Sequence, residues 1–103
     1  MPRADYQLGL SEEALSALQI LAANLKEARK ARGWTIEEAA RRSLLSINAY
    51  RNAEAGNPGT AMGVYLAVLD SFGLADGLGD VGAPHRDETG RRLKRVSSKL
   101  RKN

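Results

Sequence analysis

Residues that can begin helices alternate along this chain with glycines that can end them. Four hydroxyl residues precede segments whose apolar residues recur at helical spacing: Ser11, Thr35, Ser46 and Thr60. Their side chains can accept bonds from the free N–H groups of a first helical turn. Gly33, Gly56 and Gly73 stand where such segments end, and glycine readily adopts the left-handed conformation that stops a helix. These signals predict helices over about 11–32, 36–42, 47–55 and 61–72, with a short fifth over 74–78.

Composition limits the class of protein. The 103 residues suit one domain and a tail, and an aliphatic core is expected because aromatic residues are scarce. The chain has no cysteine and a single histidine, His85, so we expect no disulfide, metal site or other cofactor. No apolar run is long enough to span a membrane, and no signal peptide is recognisable, so a cytoplasmic protein is expected.

Positive charge is concentrated at one end of the chain. Residues 1–85 carry eight Lys or Arg against ten acidic residues, whereas residues 86–103 carry eight against two. We therefore divide the chain into a flexible leader (1–10), a domain (11–82) and a basic tail (83–103). The tail is either disordered or ordered by a partner, with weak helical periodicity over 91–103. Its charge favours a nucleic acid or an acidic protein surface, although a solvated end explains it equally well.

The spacing from Thr35 to Glu54 predicts a particular motif. Two short helices, 36–42 and 47–55, are joined by about three residues and follow a longer helix. This is the pattern of a helix-turn-helix, in which the second helix enters the major groove of DNA. Enzymatic readings are disfavoured: the glycines near residue 79 form no phosphate loop, and adjacent Glu37 and Glu38 point in different directions.

The sequence resembles a known family over about residues 20–75. The segment 28–40, which reads Ala-Arg-Lys-Ala-Arg-Gly-Trp-Thr-Ile-Glu-Glu-Ala-Ala, is similar to the opening of Xre/Cro-type helix-turn-helix regulators. The segment 46–56 fits the third helix of that family. This resemblance implies an all-α, five-helix, lambda-repressor-like domain that binds double-stranded DNA as a homodimer and represses transcription.

A narrower resemblance is to HipB-like antitoxins. It rests on segment 56–66, which reads Gly-Asn-Pro-Gly-Thr-Ala-Met-Gly-Val-Tyr-Leu, and on Pro84, Asp87 and Gly90 before the basic tail. It implies the antitoxin of a toxin–antitoxin system, paired with a HipA-like serine/threonine kinase and repressing its own operon.

Several residues depart from the family pattern. Ile36 replaces a usual Gln after the cap, and Leu44 replaces a usual Gly in the turn; Ala39 and Ala53 stand where Leu is common. Ile36, Leu44 and the net charge of −2 over residues 1–85 favour a second hypothesis, a toxin-neutralising protein-interaction module with weak or no DNA binding. A third is a phage-type repressor without a toxin partner.

The candidate DNA contacts lie mainly on the third helix. Asn pairs well with adenine and Arg with guanine, whereas Ile47 either contacts a thymine methyl group or packs inside. Hydroxyl and cationic side chains suit phosphates. The candidate residues are Thr35, Arg41, Arg42, Ser46, Ile47, Asn48, Arg51, Asn52 and Asn57.

Other conspicuous residues are expected to be structural. Glu54 should pair with Arg29 or Arg32 and hold the third helix to the first. Trp34 should cover the core, and Tyr50 should lie in it. The remaining aromatic residues on the fourth helix, Tyr65 and Phe72, suit either the core or a dimer contact.

Overall fold

The computed structural model describes residues 5–101, and this part of the chain contains helices and connections but no strand. It has six α-helices and, between the last two, the 3₁₀ helices Ala75–Asp80 and Pro84–Arg86. The α-helices are α1 (Asp5–Leu8), α2 (Glu12–Ala31), α3 (Ile36–Arg42), α4 (Ile47–Glu54), α5 (Met62–Ser71) and α6 (Glu88–Arg101). The predicted all-α fold is confirmed, and the predicted bounds of α2 to α5 agree with the observed ones to within two residues. The short helix α1 was not predicted, because residues 1–10 were expected to form a flexible leader.

Three of the four expected N-caps are confirmed. The side-chain oxygens of Ser11, Thr35 and Ser46 accept hydrogen bonds from the backbone N–H three residues later at 3.0, 3.1 and 3.0 Å. Each bond satisfies a donor that the first helical turn leaves free. Acidic residues follow the cap in α2 and α3, where they complement the positive end of the helix dipole.

The prediction that Thr60 caps α5 is wrong. The cap position is Ala61, which makes no side-chain hydrogen bond, and the Thr60 hydroxyl is buried without a partner. The Thr60 N–H instead donates to the Asn57 carbonyl at 3.0 Å. Thr60 therefore belongs to the turn before the helix, one residue too early to serve as its cap.

The core lies between α2, α3, α4 and α5. It is built from residues that are all at most 6% exposed, with alanines where α3 packs on its neighbours: Leu25, Ala39, Ala40, Tyr50, Ala53, Tyr65, Val68 and Phe72. Tyr50 is a core residue as predicted, and Tyr65 and Phe72 prove to be buried within the chain. Leu15 of α2 is 38% exposed and lies outside this core.

Trp34 closes one edge of this core, as expected. Its ring stacks on Phe72 with centroids 5.5 Å apart, and the Arg42 guanidinium lies 4.4 Å from its centroid on the α3 side. Arg32 lies 4.9 Å from the Phe72 ring centroid and donates to the Phe72 carbonyl at 3.0 Å. The connection between α2 and α3 is thereby fixed against the end of α5.

The chain after Phe72 has little core of its own. The predicted fifth helix over 74–78 is a 3₁₀ helix over 75–80, and Val81 is exposed. In the tail, α6 begins at Glu88 rather than near residue 91, because the Asp87 carboxylate accepts from the Gly90 N–H at 2.9 Å. The part of the leader before Asp5 and the last two tail residues lie outside the described residues, and the three-part division of the chain stays a prediction.

Candidate nucleic-acid interface

The turn between α3 and α4 has the geometry of a helix-turn-helix. The Leu45 N–H donates to the Ala40 carbonyl at 2.9 Å and the Leu44 N–H to the Arg41 carbonyl at 3.1 Å. This paired bonding ends a helix and needs a left-handed residue. Leu44 supplies it with φ of 58°, the conformation for which the family pattern has glycine. The sharp turn sets α4 across α3.

One side of α4 is buried and the other is free to meet a ligand. Tyr50 and Ala53 point into the core. The residues on the outer side are exposed or half-buried: Ile47, Asn48, Arg51 and Asn52. Ile47 is 42% exposed, which leaves its side chain available for contact. The four predicted base-contacting residues therefore share one outward face, beginning at the N-terminal turn that a recognition helix directs at base edges.

A partly buried ion pair fixes α4 to α2. Arg29 Nε donates to Glu54 Oε2 at 2.7 Å, and Arg29 also donates to the Trp34 carbonyl at 2.9 Å. The two side chains are only 11% and 9% exposed. Burial alone would raise the pKa of Glu54, but the hydrogen bonds and charge of Arg29 outweigh it and hold that pKa below its usual value. The predicted pairing of Glu54 is confirmed, with Arg29 as the partner.

The arginines of α3 are already paired within the protein. Glu38 accepts from Arg41 at 2.7 Å and from Arg42 at 2.8 Å, and these bonds lower the pKa of its carboxyl. The Arg41 side chain is 70% exposed, whereas that of Arg42 is 46% exposed and its guanidinium also lies against the Trp34 ring. The two arginines lie on the helix expected to cross the DNA backbone, but a phosphate would have to share or replace the Glu38 carboxylate.

The remaining predicted contacts have structural duties. The hydroxyls of Thr35 and Ser46 cap α3 and α4, and both residues are exposed. The Asn57 side-chain oxygen accepts from the Gly59 N–H at 2.8 Å, and its carbonyl accepts from the Tyr65 hydroxyl at 3.0 Å. Asn57 thus orders the turn that follows α4 while its side chain stays at the surface.

Sequence reasoning missed two glutamines beside the recognition helix. Gln7 of α1 and Gln19 of α2 line an open groove of about 1070 Å³ together with Asn48, Asn52 and Asn57. The Gln19 amide nitrogen lies 3.4 Å from the Gly56 carbonyl oxygen and so joins α2 to the end of α4. No signal distinguished these glutamines from an ordinary solvated helix face, because their proximity to α4 arises only in the folded chain. Five amide side chains, two of them on α4 itself, therefore line this groove.

Residues 5–101 contain no cluster of His, Asp or Glu suited to a metal ion. None of the helices among them is long and apolar enough to cross a bilayer.

The fold and the exposed face of α4 define a helix-turn-helix protein, a class that binds DNA and is typically non-enzymatic. Residues 20–79, more than half of the chain, match a family model described as a helix-turn-helix domain. The chain belongs to this family of helix-turn-helix domains. Neither a curated protein nor a solved structure matches the chain.

Proposed function

We propose that this protein is a sequence-specific transcriptional repressor that binds operator DNA as a homodimer. The observation that carries the proposal is the outward face of α4, where Asn48 and Arg51 are exposed one turn apart after a helix-turn-helix turn. Asn and Arg can each form paired hydrogen bonds to one base edge in the major groove. A twofold dimer would place two such helices roughly 34 Å apart on one side of the duplex.

Base-contacting and phosphate-contacting residues make separable contributions. Replacing a base contact should lower affinity for the preferred site and relax specificity at one position, whereas replacing a phosphate contact should weaken all sequences alike. We propose that Ile47, Asn48, Arg51 and Asn52 contact bases and that the other candidates contact the phosphate backbone of DNA. The backbone group is Thr35, Arg41, Arg42, Ser46 and Asn57.

Selection from random duplexes at low salt tests this assignment. The wild-type protein should enrich one sequence with twofold symmetry, and Arg51→Ala should lose about tenfold or more in affinity for it, in line with about 1–3 kcal/mol for a paired base contact. Lys30→Ala is the matched control, since it removes an exposed cation from α2 outside the motif. A wild-type selection that enriches no sequence would overturn the repressor proposal.

The finer proposal is that the repressor is the antitoxin of a HipA-like serine/threonine kinase. Its support is the resemblance of segment 56–66 and of Pro84, Asp87 and Gly90 to that group. Co-expression with a kinase encoded beside its gene should yield a stable complex and suppress kinase toxicity. A phage-type repressor without a toxin partner is the outcome if no such kinase binds.

One observation favours a second candidate function, a protein-interaction module with weak DNA binding. Arg41 and Arg42 are paired with Glu38, Arg29 is paired with Glu54, and Arg51 is the only cation on α4. A salt titration separates the two functions. Phosphate contacts release counterions, so log affinity of a true DNA binder should fall linearly with log salt concentration.

A further inference from the structure

An apolar stripe runs uncovered along α6. Thr89, Leu93, Val96 and Leu100 follow one another at intervals of four, three and four residues, which places them on one side of a helix. Leu93, Val96 and Leu100 are 64%, 55% and 74% exposed. Contiguous exposed apolar surface bounded by charge is typical of an interaction site.

The α6 helix is held away from the core of its own chain. Its first turn is capped by Asp87, and Arg91 donates to the Pro84 carbonyl at 2.9 Å. These bonds set the direction of α6 from the preceding 3₁₀ helix, against which it packs. No residue of α6 is buried. Among the described residues of its own chain, none covers the apolar stripe of α6, so a covering surface must come from another molecule.

A surface with matching length and opposite charge lies on α2. Glu13, Ile20 and Glu27 are seven residues apart and share its outer side, and Ile20 is 60% exposed. At about 1.5 Å per residue, Glu13 and Glu27 are about 21 Å apart, the length of a 14-residue helix such as α6. Beside Ile20 a recess of about 680 Å³ lies between α2 and the loop 80–82. We call this surface, from Glu13 to Glu27, the α2 outer face.

Charge distinguishes the two surfaces. Among the described residues, no carboxylate pairs with the α6 cations, and neither Glu13 nor Glu27 has an ion-pair partner. The cations of α6 are Arg91, Arg92, Lys94, Arg95, Lys99 and Arg101. Arg92 and Lys99 flank the apolar stripe on one edge. Arg92 and Lys99 are about 10.5 Å apart and the two glutamates about 21 Å apart, so a helix centred on Ile20 would bring each cation to within about 5 Å of one glutamate along the axis, a distance that the long Arg and Lys side chains can bridge.

We propose that two copies of this chain form a dimer in which α6 of each copy lies on the α2 outer face of the other. The inference rests on the dimeric operator binding proposed above and names its dimer surface. The contact is reciprocal, so each change in sequence acts twice in the dimer. In this arrangement Leu93 and Val96 pack against Ile20 and fill the recess beside it.

The structure favours this occupant over the alternatives. A pair of α6 helices joined along their stripes would set Arg92 and Lys99 against like charges at the flanking positions. DNA offers phosphates to the cations but leaves the apolar stripe uncovered. The loop that leads to α6 lies beside Ile20, whereas α4 is fixed to α2 through Gln19 and Arg29. The helix α6 therefore departs from a side of α2 different from the one that carries the recognition helix.

Sedimentation equilibrium of the full chain tests the proposal. Ile20→Asp and the double change Leu93→Asp with Val96→Asp should each raise the dimer dissociation constant at least about a hundredfold, because each removes buried apolar contacts twice. Met62→Asp, at a site 66% exposed on α5, is the matched control and should leave the dimer intact. Far-UV circular dichroism and melting temperature verify that each variant is folded.

A charge exchange makes the test specific. A chain with Glu13→Lys and Glu27→Lys, and a second chain with Arg92→Glu and Lys99→Glu, should each fail to self-associate. Mixed together they should form a heterodimer, because both reciprocal contacts then join opposite charges. Failure of the mixture to associate, with both chains folded, contradicts the proposed contact.

The remaining outcomes distinguish this inference from the proposed function. A wild-type dimer that Met62→Asp dissociates while the α2 and α6 variants do not would place the dimer surface on α5 and overturn the inference alone. Variants of α6 that lose DNA affinity while remaining dimeric would assign α6 to phosphates and also overturn it. A wild-type chain that stays monomeric with and without its selected DNA would overturn both this inference and the proposal that the repressor binds DNA as a dimer.

Discussion

Leu44 shows how much of the motif depends on one backbone conformation. It is the only non-glycine residue with positive φ in residues 5–101, and its side chain is 92% exposed. The left-handed region costs a residue with a Cβ about 1–2 kcal/mol. Nothing packed against the side chain offsets that cost. The backbone hydrogen bonds of the turn hold Leu44 in this conformation, and the turn sets the crossing of α3 and α4.

Replacing Leu44 with glycine should therefore stabilise the protein. Relief of the strained φ should outweigh the extra freedom of glycine in the unfolded chain, raising the free energy of unfolding by up to about 1 kcal/mol. Urea denaturation measures the change. Leu44→Ala is the control, since it removes the exposed side chain but keeps the Cβ and the strain. An equal gain in both variants would trace the effect to the side chain instead.

The Arg29–Glu54 pair should contribute strongly to stability. Glu54→Gln leaves the nearly buried Arg29 charge without its counter-charge, and breaking such a pair should cost about 3 kcal/mol of unfolding free energy. Glu37→Gln on the exposed side of α3 should change it by less than about 0.5 kcal/mol. A loss in Glu54→Gln no larger than in this control would mean that the pair is dispensable.

The same pair gives stability a dependence on pH. The folded protein holds the pKa of Glu54 below its ordinary value of 4.5, so its contribution is complete above that pH and is lost as pH falls through the lower, folded pKa. Melting temperatures measured between pH 6 and pH 2.5 should therefore fall more steeply for wild type than for Glu54→Gln. Parallel curves would contradict this assignment.

The sequence predicts the structural role of a residue well when its side chain suits only a few environments. Tyr50 and Glu54 were placed correctly, because an aromatic residue on an inward helix position and an acid beside several arginines leave few alternatives. Thr60 was misplaced, since a hydroxyl two residues before a helical segment reads like a cap when the turn before it is unknown. The nearness of Gln19 to the end of α4 depends on tertiary packing and had no local signal.

At the scale of elements, α3 combines a structural duty with a candidate DNA contact. Glu38 binds both arginines of the helix and is itself a carboxylate on the face expected near phosphates. Glu38→Gln should therefore raise DNA affinity severalfold at low salt and steepen its salt dependence by about one unit for each arginine released to a phosphate. Filter-binding titrations over a range of salt concentrations measure both quantities.

Glu37→Gln provides the matched control for this change. It alters net charge equally on the neighbouring residue, which forms no ion pair among the described residues. A larger effect at residue 38 would show competition between carboxylate and phosphate. Equal effects of the two substitutions would mean that the change in net charge, and not the release of the arginines, raises DNA affinity.

Helix bounds followed from the sequence wherever a cap and a stop were both local. The bounds of α2, α3 and α4 were predicted within two residues because Ser11, Thr35 and Ser46 bond to their own first turns. The start of α6 was placed three residues late. The local sequence around Asp87 contains no apolar periodicity that would mark it as a cap, yet its carboxylate accepts from the Gly90 N–H.

At the scale of the whole molecule, α6 should be separable from the core. It has no buried residue, so ending the chain after Asp87 removes little packing from the rest of the fold. Residues 1–87 should melt cooperatively, within about 5 °C of the full chain when both are measured as monomers, which corresponds to roughly 1 kcal/mol for a domain of this size. A loss of the cooperative transition would show that α6 supports the core.

The segment after Asp87, which contains α6, also determines the sign of the net charge of the protein. Up to Asp87 the chain has nine Lys or Arg against eleven acidic residues, whereas the sixteen residues after it have seven against one. Loss of that segment by proteolysis converts a protein of net charge +4 into one of net charge −2. A single cut thus reverses long-range attraction to a nucleic acid into repulsion while the recognition helix remains in place. Proteolysis at this one site would change DNA occupancy through the electric field of the protein, while the residues proposed to contact bases stay unchanged.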